Sequence, residues 1–91
     1  MRTIAHWVDG KYYEGNPIGR FAVENPGTGE VEAELLQASD ADLDHAVEVA
    51  RRAQKEWAKV SLAKRTAIMF RMRQLVLDHQ DEMAKMIVAE H

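Results

Sequence analysis

Along the first third of the chain apolar residues tend to alternate with polar ones, whereas from Ser39 onward they recur every three or four positions. The first pattern is that of strands and the second that of helices. Ile4 to Val8 is rich in strand formers, and Asp9-Gly10 then supplies two residues that tolerate positive φ, as a tight hairpin turn requires. Lys11 to Glu14 is the expected return strand. The stretch from Gly15 to Gly19 contains Pro17 and is expected to be a surface loop before a second extended run, Arg20 to Glu24. In Asn25-Pro26-Gly27-Thr28-Gly29-Glu30, Pro26 fixes φ and Gly27 is expected to supply the positive φ of a type II turn. The strand after it alternates Val31, Ala33 and Leu35 with Glu32 and Glu34, which predicts one covered face and one wet face.

Ser39 stands where a helix cap is needed, and Asp40, Asp42 and Asp44 bring negative charge to the positive end of the helix dipole. The spacing predicts a helix from Ala41 to Lys59, with Leu43, Ala46, Val47, Ala50, Ala53 and Trp57 as its apolar stripe. Ser61 caps a second helix on which Leu62, Ile68, Met69, Met72, Leu75, Val76 and His79 share a side. The polar run from Asp78 to Asp81 breaks or bends it before a last apolar face of Met83, Met86 and Ile87. The fold class is therefore α+β: two β-hairpins in residues 1–38, then two or three helices forming a helical hairpin in residues 39–91.

Ninety-one residues suffice for one small domain or part of a larger one. With 12 Lys and Arg against 15 Asp and Glu, the chain has no general attraction for phosphate backbones or anionic lipid. No nucleic-acid or membrane partner is expected. The absence of cysteine removes disulfides, thiolate metal sites and thiol nucleophiles, and fits a cytoplasmic setting. No apolar run is long enough for a signal peptide or a membrane span.

Candidate chemistry is sparse. Asp40, Asp42 and Asp44 resemble the opening of a calcium loop, but the sixth and twelfth positions, which need glycine and glutamate, are His45 and Arg51. Gly27-Thr28-Gly29 could begin a dinucleotide fingerprint, yet its third glycine would fall at Glu32 and a strand, not a helix, follows. His6, His45, His79 and His91 lack metal-ligand spacing. Ser39 and Ser61 read as caps rather than nucleophiles. Lys64, Arg65, Arg71 and Arg73 read as a solvated basic side or as partners in intramolecular salt bridges. Met69, Met72, Met83 and Met86 could serve as core or as an adaptable docking face. This leaves no catalytic, cofactor-binding or metal residue to assign.

Several segments in one order nevertheless resemble the amino-terminal region of NAD-dependent aldehyde dehydrogenases. They are Trp7-Val8-Asp9-Gly10-Lys11, the turn from Asn25 to Val31, the capped Ser39-Asp40-Ala41-Asp42-Leu43-Asp44 with its alanine-rich helix ending at Trp57, and the second helix closing on Glu90. Within that superfamily, Phe70-Arg71-Met72-Arg73-Gln74-Leu75 and Pro26-Gly27-Thr28-Gly29 look most like methylmalonate-semialdehyde dehydrogenase, the CoA-acylating branch.

The resemblance implies a parent enzyme whose cysteine attacks the aldehyde, passes hydride to NAD, and releases the acyl group to water or to CoA. It also implies a homo-oligomer in the parent. The family's nucleophile, general-base glutamate and oxyanion asparagine all lie beyond the matched region, as do its cofactor motifs, so no residue here inherits those roles. The helical pattern runs to His91 with no stop signal, where relatives continue with a glycine-lysine pair. The resemblance thus implies a truncated structural portion, the N-terminal part of an α/β cofactor-binding domain on which the stripe from Leu62 to Val76 is buried, inactive alone. A different class of reading is a free-standing interaction module with a Met-rich face.

Overall fold

The order of elements follows the two patterns, five strands and then three helices, in a computed structural model that describes residues 2–91. The strands are β1 (Arg2–Ile4), β2 (His6–Val8), β3 (Lys11–Tyr13), β4 (Gly19–Glu24) and β5 (Val31–Gln37). Asp9 at φ 57° and Gly10 at φ 70° make the expected turn between β2 and β3, which pair antiparallel with Trp7 opposite Tyr12. β4 and β5 form the second hairpin, with Phe21 opposite Leu35.

Two details depart from the pattern. The run from Ile4 to Val8 is not one strand: the chain leaves the sheet at Ala5, and β1 pairs in parallel with β5, Thr3 opposite Glu34. The result is a mixed sheet ordered β1-β5-β4 beside a separate β2-β3 ribbon. Local alternation marks extended backbone but not which edge it joins, so the change of partner was not readable from it. In the second turn, Gly27 does not take positive φ; Gly29 does, at 75°. The Asn25 side chain accepts a hydrogen bond from the Gly27 amide at 2.8 Å, and the Asn25 carbonyl accepts from the amides of Thr28 and Gly29. That tighter coil moves the left-handed residue two positions on.

Being central, β5 holds the core. Ala33 and Leu36 are its buried residues, three positions apart and therefore on opposite faces, whereas Val31 and Leu35 stay largely open. The expected single covered face of Val31, Ala33 and Leu35 is thus replaced by one buried residue on each side of the strand.

The helices are α1 (Asp40–Trp57), α2 (Leu62–Asp78) and α3 (Gln80–Glu90). Ser39 and Ser61 cap the first two, their hydroxyls accepting from the amides of Asp42 and Lys64. α2 and α3 are almost continuous: His79 alone ends one and starts the next, with its amide on the Leu75 carbonyl and its own carbonyl accepting from Met83. His79 is therefore the joint rather than part of the α2 stripe.

Neither α2 nor α3 contains a buried residue. The radius of gyration is 16.8 Å and the extents are 48 × 35 × 15 Å, whereas a self-contained fold of this length has a radius near 12 Å. The accessible surface is 7497 Å², against roughly 5,400 Å² for a compact monomer of this mass. A slab one helix thick leaves its apolar sides open.

Candidate functional site

The best-ordered polar arrangement is centred on Asp42, in the first turn of α1. The residue is 3% exposed. Oδ2 accepts from the Ser39 amide at 3.1 Å while the Ser39 hydroxyl accepts from the Asp42 amide at 3.2 Å, a reciprocal capping box. Oδ1 accepts from the Asn16 amide at 2.9 Å and, more weakly, from the Tyr13 hydroxyl at 3.4 Å. The Asn16 and Ser39 amides hold the Asp42 carboxyl below its ordinary range. Burial, followed by the nearby Asp42 charge, pushes the Tyr13 phenol up.

Gly15 completes this clasp. It sits at φ 63°, and a Cβ there would collide with the Asp42 carboxylate. The side chain thus fastens the loop after β3 to the start of α1, and Tyr13 stacks obliquely on His45 with ring centroids 5.0 Å apart. These are bonds of architecture: both carboxylate oxygens accept from the chain's own backbone or from Tyr13.

The other sequence candidates do not converge. Asp40 and Asp44 are exposed while Asp42 is turned inward, so the three acids do not share a site. Gly27 and Gly29 shape the β4-β5 turn. His6 lies on β2, His45 on α1, His79 at the helix joint with Nδ1 3.0 Å from Glu82, and His91 at the far end. Among the described residues no three potential ligands gather around a metal position. Lys64, Arg65, Arg71 and Arg73 make no ion pair among the described residues. Among those residues, no helix is long and apolar enough to cross a membrane.

What remains is apolar and open. Ala46, Val49, Ala50 and Ala53 of α1 face the β2-β3 turn across a depression of about 360 Å³. A wider trough of about 620 Å³ is walled by Ala50, Ala53, Trp57 and Val60. Met69, Met72, Met83 and Met86, with Phe70, Leu75 and Ile87, are all exposed. Contiguous apolar surface on this scale marks a contact site. The Asp42 clasp was missed in the sequence because three acids in a row read alike. The signal that could have singled out Asp42 is its position three residues after Ser39, that of a capping-box acid.

Comparison with known proteins agrees with this incomplete geometry. The model of the aldehyde dehydrogenase family matches residues 12–91. Betaine aldehyde dehydrogenase of Vibrio vulnificus strain CMCP6 is 38% identical over 90 residues, covering 99% of this chain and 18% of the relative. Malonate-semialdehyde dehydrogenase 2 of Oceanobacillus iheyensis is 35% identical over 91 residues, covering 100% of this chain and 19% of the relative. A crystal structure described as methylmalonate-semialdehyde dehydrogenase from Sinorhizobium meliloti 1021, complexed with NAD, superposes with a TM-score of 0.96 at 38% identity, covering 100% of this chain and 18% of that one. The chain spans less than a fifth of the length of these relatives, and its strands and helices match the N-terminal part of their fold. With a family model covering nearly all of it, this chain belongs to the aldehyde dehydrogenase family.

Proposed function

We propose that this chain is the structural N-terminal portion of an NAD-dependent malonate- or methylmalonate-semialdehyde dehydrogenase, whose reaction oxidises a semialdehyde to an acyl-CoA. The observation that carries the reading is the superposition over the full chain, TM-score 0.96, on the NAD-complexed Sinorhizobium enzyme. The malonate-semialdehyde relatives point to the same substrate class.

The chain's role is to build, not to react. Passing an acyl group to CoA by way of an enzyme thioester needs a thiolate nucleophile, and no cysteine occurs here. Among the described residues the buried carboxylate is that of Asp42, and it is held by the Ser39, Asn16 and Tyr13 bonds. NAD, CoA and the semialdehyde therefore belong to surfaces contributed by the rest of the dehydrogenase fold, and residues 1–38 and 39–91 serve as its strand-rich and helical supports. We expect calorimetric titration of the 91-residue chain with NAD to give no saturable heat, and the chain to oxidise no semialdehyde. Saturable binding in the micromolar range would overturn the reading.

The exposed methionines favour one competing reading, an interaction module that acts alone. Light scattering separates the two. A module gives a single defined species, whereas an unsupported portion of a larger fold associates irregularly through its open apolar sides.

A further inference from the structure

Six aspartates and two asparagines occur in the chain, and their surroundings divide them. Such residues can rearrange: the nitrogen of the following peptide attacks the side-chain carbonyl carbon, and the five-membered ring so formed reopens at either carbonyl. That attack needs a nitrogen bearing a hydrogen, little bulk on the next residue, and a backbone free to rotate. Asn16 and Asn25 fail the first requirement, since Pro17 and Pro26 follow them and proline has no N–H. Asp40, Asp42, Asp44, Asp78 and Asp81 fail the other two. All five lie in helices, each is followed by a residue with a Cβ, and the amides after Asp42 and Asp78 are already bonded to the Ser39 and Leu75 carbonyls.

Asp9 alone meets all three. It is exposed, makes no ion pair among the described residues, and sits at φ 57°, a left-handed conformation that strains a residue with a Cβ. Gly10 is exposed too, with nothing within 4 Å of where a Cβ would stand. The turn belongs to a separate ribbon of two three-residue strands, closed by Val8 opposite Lys11. A lone two-stranded hairpin is marginal, so the turn opens at little cost and the Gly10 nitrogen can rotate onto the Asp9 side chain.

We infer that Asp9-Gly10 is a site of spontaneous isoaspartate formation. The Gly10 nitrogen bonds to Asp9 Cγ and gives up its hydrogen, and one oxygen of the protonated carboxyl departs as water, leaving a cyclic imide. Water then adds to the former main-chain carbonyl of Asp9 and breaks its bond to the Gly10 nitrogen. The chain now runs through Cβ and Cγ, and a free α-carboxylate is left outside it. One water leaves and one enters, so mass and charge number are unchanged and nothing is oxidised or reduced. The extra backbone atom spoils a two-residue turn, which sets the register of Trp7 on Tyr12 and His6 on Tyr13. The opposite end of the ribbon is fastened separately, by Tyr13 and Asn16 on Asp42. The product is a ribbon loosened at its turn and still held at the clasp.

The test stores the chain at neutral pH and body temperature in heavy-oxygen water, then maps its peptides by mass spectrometry with electron-transfer fragmentation, which recognises the β-linked residue. The peptide carrying Asp9 should gain one heavy oxygen and separate into two species of equal mass, while those carrying the other five aspartates stay unlabelled. Asp9→Glu, which would have to close a less favourable six-membered ring, should lose the label. The isoaspartyl form, isolated from the stored sample, should lose hydrogen-exchange protection in β2 and β3 and keep it at the Asn16 and Ser39 amides. Absence of label at Asp9, or label that persists in Asp9→Glu, would overturn the site. An isoaspartyl chain with β2 and β3 as protected as before would overturn its effect on the ribbon.

Discussion

Asp42 and Phe70 are both where a folded chain would bury a side chain, yet Asp42 is 3% exposed and Phe70 66%. Around Asp42 every partner lies in the same chain: Tyr13, Asn16 and Ser39 all donate to one carboxylate, and Ala33 and Leu36 are buried on the central strand β5. Along α2 the helix is formed and capped, but none of its residues is buried. The contrast separates two requirements that a domain usually meets together. Local hydrogen bonds and caps shape an element, whereas its burial depends on surface supplied from elsewhere in a fold.

The sharpest way to break the self-contained region is at Gly15. Gly15→Ala imposes a left-handed φ on a residue with a Cβ and drives that atom into the Asp42 carboxylate. Gly10 has nearly the same φ, 70°, with nothing within 4 Å of its Cβ position. Gly10→Ala should therefore cost about 1 kcal/mol for backbone strain and Gly15→Ala about 3 kcal/mol, the difference being the collision. Hydrogen exchange at the Asn16 and Ser39 amides reads the damage directly. Equal effects at the two glycines would show that the clasp does not hold the loop.

Asp42→Asn removes the charge but keeps the shape, and ranks next. An amide can accept at one atom only, so its NH2 would face the Ser39 or the Asn16 amide donor to donor. The pH dependence has a definite sign. A carboxyl held below its ordinary value of 3.8 stabilises the fold in full above that value, and the contribution is lost as pH falls through the lower folded value. The unmodified chain should keep its Asn16 and Ser39 amides protected from neutral pH down to about 4 and lose protection below. The variant should be weaker at neutral pH and flat across the acid range. A variant that retained the acid transition would assign it to another carboxylate.

Much of the self-contained region was legible because its signals are local. Asp9-Gly10 turns as its residue types demand, Ser39 and Ser61 cap, and the break expected across Asp78 to Asp81 narrows to His79. The order of these pieces also carried the family resemblance, which the match over residues 12–91 bears out. The parts that were not legible depend on distant partners. β1 pairs with β5 and the chain leaves that sheet at Ala5, Gly29 replaces Gly27 because the Asn25 side chain recruits the Gly27 amide, and Leu36 is buried while Leu35 stays open.

The smallest effect tests whether the two regions are coupled at all. Among the described residues, Arg2–Glu90 at 2.8 Å is the ion pair that joins the sheet to α3, with side chains 59% and 41% exposed. Water screens both groups, and holding two long side chains in register offsets most of the Coulombic gain. Arg2→Ala should therefore change stability by no more than about 0.5 kcal/mol, and by still less in 1 M salt, where the Debye length shrinks to about 3 Å. Hydrogen exchange in α3 should be unchanged, because the helix owes its position to surfaces other than this contact. A loss above about 1 kcal/mol, or new exchange confined to α3, would show that the strand end anchors the helix. The division between a self-satisfied region and a dependent one would then have to be redrawn at His79, with α3 on the side of the sheet.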